Sequence, residues 1–207
     1  MKGNSSKNIK AAITAVGGFV PNDFISNQDL EKVLDTTDEW ITTRTGIKKR
    51  RILKGEGKGT SYLAIKAAED VITKRNIDPD TIDLVIVATI TPDYKGAATA
   101  PSVASAIKAN NAYAFDLSAA CSGFLYGMST ATSYIESGRY KKVLLIGADK
   151  MSSVVDYTRR ETSILFGDGA GAVLVEPSKN EFGWEDEYLR SDGCLLYTSD
   201  AADDWSC

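Results

Sequence analysis

The 207-residue chain contains no histidine. That absence removes the side chain that most often serves as general base for a cysteine or serine nucleophile and as a ligand to zinc. Cysteine is also scarce: Cys121, Cys194 and Cys207 stand at no metal-ligand spacing, so a metal centre has little to work with. No apolar stretch approaches the roughly 20 residues of a membrane span, and residues 1–8 are polar, without the apolar core of a signal peptide. A soluble, cytoplasmic protein with no membrane partner is the expectation. Charge of one sign is not in large excess either. Twenty-four Lys and Arg against 28 Asp and Glu leave a net charge of -4, which argues against general polyanion binding.

What is present reads as an ordinary globular protein, with 43% hydrophobic and 25% charged residues and length enough for a buried core. Ala11 to Val16 predicts a first strand, broken at Gly17-Gly18. Asn27 to Asp35 predicts a short helix capped by Ser26 or Asn27, with Glu31 closing a capping box. A second helix starts at Thr37, with Asp38 and Glu39 in its first turn. Lys48-Lys49-Arg50-Arg51, followed by Lys54 and Lys58, predicts a compact basic surface. That run is short and lacks the interleaved aromatics of a nucleic-acid surface, so no nucleic-acid partner is expected. It is suited to steering an acidic protein or a phosphate group, or it is simply a solvated loop.

Leu63, Ala67 and Val71 recur at helical spacing in Thr60 to Arg75, and Ile82 to Ile90 is a nearly unbroken apolar, β-branched run of the kind buried on both faces of a sheet. Ala97 to Ala109 predicts a helix after Pro101, Tyr113 to Leu117 a buried strand, Ser122 to Ser137 a helix stopped by Gly138, and Lys142 to Ile146 a further buried strand. This alternation predicts an α/β layered fold on a mainly parallel sheet. Residues Thr162 to Phe166 and Ala170 to Glu176 flank Gly167-Asp168-Gly169 and predict a hairpin. The glycines there suggest a nucleotide loop, but a β-branched run follows where a dinucleotide site needs a helix.

Cys121 lies in Asp116-Leu117-Ser118-Ala119-Ala120-Cys121-Ser122-Gly123-Phe124, where a strand gives way through small residues to a helix. A thiol at the first turn of a helix faces unpaired N–H groups and the positive end of the dipole, which favour thiolate. Small neighbours let a carbonyl approach the sulfur while a backbone N–H meets the developing oxyanion. Taken by itself, a lone cysteine beside alanines is more often a small buried hydrophobe than a nucleophile.

This segment closely resembles the nucleophile region of the β-ketoacyl-acyl-carrier-protein synthase III family. Asp35 to Ile47, Val87-Ala88-Thr89, Phe166 to Ala172 and Ser191-Asp192-Gly193 agree with the family in the same order. The resemblance covers about residues 9 to 193. It implies a thiolase-like layered αβαβα fold, of which the chain is the first of two duplicated halves, truncated, and a homodimer. It implies an acyltransferase that joins a short acyl-coenzyme A to malonyl-acyl-carrier protein through an acyl-Cys121 intermediate, starting fatty-acid synthesis with no metal or redox cofactor.

By the same resemblance Trp40 and Arg44 match a clamp on the adenine of coenzyme A, Thr36 a further coenzyme A contact, and Arg160 a second arginine at the nucleotide end. A histidine and an asparagine that polarise the malonyl thioester belong to the family's second half, so this chain is expected to be inactive in condensation. A related thiolase-fold synthase making a polyketide or quinolone starter, and a non-catalytic module binding coenzyme A or carrier protein, are the alternatives. Residues 1–8 are expected to be flexible. Residues 194–207 resemble a translated sequencing adapter and are expected to be foreign, which would leave Cys121 as the single authentic cysteine.

Overall fold

The structure, a computed structural model, describes residues 9–180 and 182–191. The expectations of a flexible 1–8 segment and a foreign 194–207 tail fall outside those residues. In chain order the elements are β1 (Ala11–Phe19), β2 (Phe24–Ser26), α1 (Asn27–Glu31), α2 (Asp38–Thr45), β3 (Lys49–Arg51), α3 (Thr60–Arg75), β4 (Leu84–Ala88), α4 (Thr99–Ala106), β5 (Tyr113–Leu117), α5 (Gly123–Glu136), β6 (Val143–Lys150), α6 (Arg160–Ser163) and β7 (Asp168–Pro177). Strands β1-β7-β6-β4-β5 form one sheet in that order, and β2 pairs with β3 in a separate ribbon.

The apolar run at Leu84–Ala88 is buried at every residue because β4 lies inside the sheet with helices on both faces. On one face the small side chains of α3 (Ala64, Ala67, Ala68) and α4 (Ala100, Ala104) pack with Val71 and Val103 against Val85, Val87, Leu144, Ile146 and Leu174. On the other, Met128, Ala131 and Ile135 of α5 cover Leu84, Ile86, Val143 and Leu145. The α/β layered fold expected from the alternation is therefore present, with three of the layers built by the described residues.

The sheet is mainly parallel, as expected: β1, β4, β5 and β6 share one direction and β7 alone is reversed. Strands β5 and β6 run parallel to β4, but β7 runs antiparallel to both β6 and β1. The link from β6 to β7 carries only short helical turns, too little for the helical crossover that a parallel return requires.

The predicted hairpin around Gly167-Asp168-Gly169 is absent: residues Arg160–Ser163 are helical, and β7 runs unbroken from Asp168. The buried Asp168 carboxylate pins the strand start, accepting from Leu53 N at 2.7 Å, Ser152 N at 2.8 Å and Ser152 Oγ at 2.7 Å. Gly17-Gly18 does not break β1. A Cβ at Gly17 would lie 2.8 Å from both Ala67 O and Val71 N, so this glycine lets α3 approach the strand closely.

Helix α1 is shorter than expected, and its capping box is closed by Asp29 rather than Glu31. Asp29 accepts from Ser26 Oγ at 2.6 Å and Ser26 N at 3.1 Å, and these bonds, with Lys32, hold its carboxyl well below the usual range. Glu31 instead accepts from Asp38 N at the start of α2. The basic run does not form one surface. In β3, Lys49 and Arg51 face outward while Arg50 points into the protein, as strand alternation dictates.

Candidate active site

Strand β5 delivers the chain to Cys121. Its Asp116 carboxylate accepts from Thr99 N at 2.6 Å and Ala100 N at 2.7 Å, satisfying the open N–H groups at the start of α4. This ties the end of β5 to that helix. The chain then turns through Ser118 and Ala119 into a 3-10 turn, Ala120–Ser122, before α5 begins at Gly123. Cys121 thus precedes the α-helix rather than sitting in its first turn. The turn is closed by Ser122 N to Ala119 O at 3.1 Å and by Gly123 N–H to Ala120 O.

Ala120 has a φ of 46°, a left-handed conformation that costs an L-residue about 1–2 kcal/mol. It presents Cys121 outward, and the thiol is exposed, which is at odds with the small buried hydrophobe. No acceptor among the described residues takes the N–H of Cys121.

The thiol opens on a cavity of about 540 Å3 lined by Cys121, Ala88, Phe124, Asp149, Phe166 and Gly171 among others. Most of the lining is apolar, and Asp149 is already engaged: its Oδ1 accepts from Thr91 Oγ1 at 2.8 Å, Thr89 Oγ1 at 2.9 Å and Ile90 N at 2.9 Å. A larger cavity of about 720 Å3, lined by Ile13, Arg75, Tyr140, Lys142 and Glu176 among others, does not include Cys121. The apolar cavity beside an exposed thiol is the better candidate for chemistry. Among the described residues no cluster of three or more His, Cys, Asp or Glu is suited to a metal ion, and no helix is long and apolar enough to cross a membrane.

A second constellation is built on α2. Thr37 caps that helix, its Oγ1 accepting from Trp40 N at 3.1 Å, and Gly46 ends it with a φ of 71°. Trp40 packs against Leu30, Ile41 and Ile164. The guanidinium carbon of Arg44 lies 4.3 Å from the centroid of the Trp40 ring, and that of Arg160 lies 4.7 Å from it, both within cation–π range. Arg160 Nη1 also donates to Asp35 O at 3.1 Å. Thr36 neighbours this cluster in sequence, and its buried Oγ1 has no hydrogen-bond partner among the described residues.

The fold therefore brings together Trp40, Arg44 and Arg160, which are up to 120 residues apart. Cys121 is not part of their cluster. The segment from Arg160 to Phe166 joins the two places, because Phe166 lines the Cys121 cavity. Six residue steps reach at most about 20 Å when extended, and the turn of α6 shortens that span. A ligand occupying both places needs a long arm with its reactive group at one end and an aromatic or anionic group at the other.

Sequence reasoning missed the supports of these two places. Asp149 carries no motif, and the family-like segment that begins at Phe166 does not mark that residue as lining a cavity. Arg50, sitting in a run of four cations, gives no local sign of its burial beyond the alternation of a three-residue strand. The left-handed Ala120 has none of the glycine signal that usually announces such a backbone.

A family profile for 3-oxoacyl-[acyl-carrier-protein (ACP)] synthase III matches residues 115–193. The chain is 54% identical over 185 residues to β-ketoacyl-[acyl-carrier-protein] synthase III 2 of Bacteroides thetaiotaomicron, covering 89% of this chain and 55% of that protein. It is 56% identical over 186 residues to the synthase III of Chlorobaculum tepidum, covering 89% and 56%. Among solved structures, 3-oxoacyl-[acyl-carrier-protein] synthase III of Aquifex aeolicus superimposes with a TM-score of 0.79 at 48% identity, over 83% of this chain and 55% of that one. The priming β-ketosynthase of the R1128 polyketide pathway superimposes with a TM-score of 0.80 at 36% identity, over 87% and 54%. The chain spans about half the length of the curated relatives it matches.

Proposed function

Because the chain is related, along about half of their length, to the β-ketoacyl-acyl-carrier-protein synthases III, we propose that its protein condenses a short acyl-coenzyme A with malonyl-acyl-carrier protein through Cys121. The observation that carries this reading is the exposed thiol on its strained turn, opening on an apolar cavity. The arginine-flanked Trp40 at the far end of the Arg160–Phe166 segment supports it.

In the first half-reaction Cys121 Sγ attacks the acyl thioester carbonyl. The sulfur–carbonyl bond to coenzyme A breaks, and the proton lost by Cys121 ends on the departing coenzyme A thiol. The free N–H of Cys121 is a donor for the oxyanion formed on the way, and such a donor, removed, typically costs orders of magnitude in rate. Trp40 offers a face for adenine, and Arg44 and Arg160 offer cations for stacking and for phosphate, while a contact through Thr36 would require its buried Oγ1 to turn outward. In the second half-reaction malonyl-carrier protein loses carbon dioxide. Its carbanion attacks the acyl-Cys121 carbonyl, the carbon–sulfur bond breaks, and a β-ketoacyl carrier protein leaves.

Only the first half-reaction is within the chemistry of the residues present. The family that the chain resembles uses a histidine and an asparagine to polarise the malonyl carbonyl, and these 207 residues include no histidine. The chain on its own is expected to be acylated without condensing. A homodimeric assembly and a cytoplasmic location belong to the same proposal.

Intact-mass spectrometry after incubation with acetyl-coenzyme A tests the first half. One acetyl group is expected on the wild-type chain and none on Cys121→Ala; labelling that persists in the variant sinks the assignment. The likeness to a polyketide-priming ketosynthase favours a second reading, in which the condensed product primes a polyketide. Product analysis with fatty-acid and polyketide carrier proteins separates the two. Coenzyme A binding with no acylation would leave the non-catalytic module.

A further inference from the structure

Arg50 is the odd member of the basic run. It is 2% exposed, and among the described residues no carboxylate lies within ion-pair distance of it. Its guanidinium is spent on two uncharged acceptors from distant parts of the chain. Nε at 2.8 Å and Nη2 at 2.5 Å both donate to the Ile164 carbonyl, and Nη1 donates to Asn27 Oδ1.

Each acceptor leads to the cluster around Trp40. Asn27, itself fully buried, uses its Nδ2 to donate to Asp38 Oδ1 at 2.6 Å, Thr42 Oγ1 at 3.2 Å and Ile47 O at 2.9 Å. Asp38 and Thr42 stand in α2 two residues before and two after Trp40, and Thr42 precedes Arg44 by two. Ile164 follows Arg160 by four and precedes Phe166 by two. One side chain thus bonds to the support of Trp40 and Arg44 on one side and to the segment that carries Arg160 on the other. Leu30, Ile41 and Ile164 already pack these elements together, so cohesion alone does not need a buried cation, which is expensive to desolvate and is often replaceable by an apolar side chain. What apolar contact lacks is direction, and the planar fork of arginine supplies it.

We infer that Arg50 is a positioning residue for coenzyme A recognition: it sets α2 and the Arg160–Phe166 segment at the spacing that lets Trp40, Arg44 and Arg160 act on one nucleotide. The inference rests on the coenzyme A reading of those three residues. Lysine cannot reproduce the fork, because one ammonium does not reach both acceptors with the same geometry.

The test compares wild type, Arg50→Lys, Trp40→Ala and the double variant, following acylation of Cys121 by intact mass across a range of acetyl-coenzyme A concentrations. Arg50→Lys is expected to raise the half-saturating concentration about tenfold, less than the roughly hundredfold that a 1 Å misplacement remote from the chemistry can cost, while the maximal rate stays within twofold. In the Trp40→Ala background the same substitution is expected to add little, because its target is gone.

A half-saturating concentration unchanged in Arg50→Lys overturns the inference, as does a maximal rate that falls in step with it. A full tenfold effect in both backgrounds overturns it while leaving the clamp intact. If Trp40→Ala alone changes nothing, the coenzyme A reading fails first. Should Arg50→Lys not fold, Thr42→Val decides: it removes one acceptor of Asn27 and is expected to raise the half-saturating concentration by less, again without lowering the maximal rate; no rise overturns the inference.

Discussion

Replacing Ala120 by glycine should stabilise the protein and slow its acylation at once. Ala120 is exposed and has a φ of 46°, so its methyl contributes backbone strain and little packing. A left-handed conformation costs an L-residue about 1–2 kcal/mol relative to glycine. Glycine returns about 0.5–1 kcal/mol of that, through the greater entropy of its unfolded chain. The difference favours Ala120→Gly by about 0.5–1 kcal/mol, which corresponds to roughly 1–4 °C in melting temperature at this chain length.

Ala120→Val moves the other way, because a β-branched residue is a genuine outlier at positive φ. The two substitutions should have different effects on chemistry. Glycine frees the peptide that aims the Cys121 thiol and its N–H, and orientation is part of the rate. Differential scanning calorimetry should therefore rank the melting temperatures Gly above Ala above Val, and single-turnover acylation by acetyl-coenzyme A should be slower in the glycine variant than in wild type. A melting temperature that falls on Ala120→Gly, as it does when glycine replaces alanine in a regular helix, would show that residue 120 is not left-handed.

Two further outcomes concern the scaffold. Gly17→Ala would drive a Cβ to 2.7 Å from Val71 Cγ2 and 2.8 Å from backbone atoms of α3; overpacking of this kind costs about 2 kcal/mol, or roughly 4–8 °C, whereas Gly171→Ala, with no atom within 4 Å, should leave the melting temperature unchanged or slightly raised. Equal losses in the two variants would refute the close approach of α3 to β1. Burial, with Tyr134 and Tyr140 alongside, pushes the Tyr113 phenol well above its ordinary value. The folded state then keeps a proton that the unfolded state releases from about pH 10 upward, so stability is complete below that pH and declines above it. Thermal melts at pH 9 and 11 should show a smaller alkaline loss in Tyr113→Phe than in wild type, and an identical loss would exclude Tyr113 as a source.

Much of this was legible in the chain because it is written at short range. The apolar run around Leu84–Ala88 announces a strand covered on both faces, whatever lies elsewhere in the chain. Ser26 announces a helix start, and the small residues around Cys121 announce a strand-to-helix turn. These signals work because side-chain period and capping are properties of a few consecutive residues. The likeness of the Cys121, Trp40 and Gly167 segments to one enzyme family was equally plain, since it rests on residue identities.

The tertiary structure decided what depends on distant partners. The direction of β7 was set by its place between β6 and β1, and the same apolar residues would have served a parallel return. Arg50 had the appearance of a surface cation until the Ile164 carbonyl and Asn27, 114 and 23 residues away, supplied acceptors inside the protein. Trp40 became the meeting point of two arginines only because the chain brings Arg160 back beside α2. Ala120 takes its left-handed turn between the end of β5, pinned through Asp116 to α4, and the start of α5. The identity of the nucleophile candidate is thus a property of the sequence, while its aim, its cavity and its distance from the tryptophan are properties of contacts made across the whole chain.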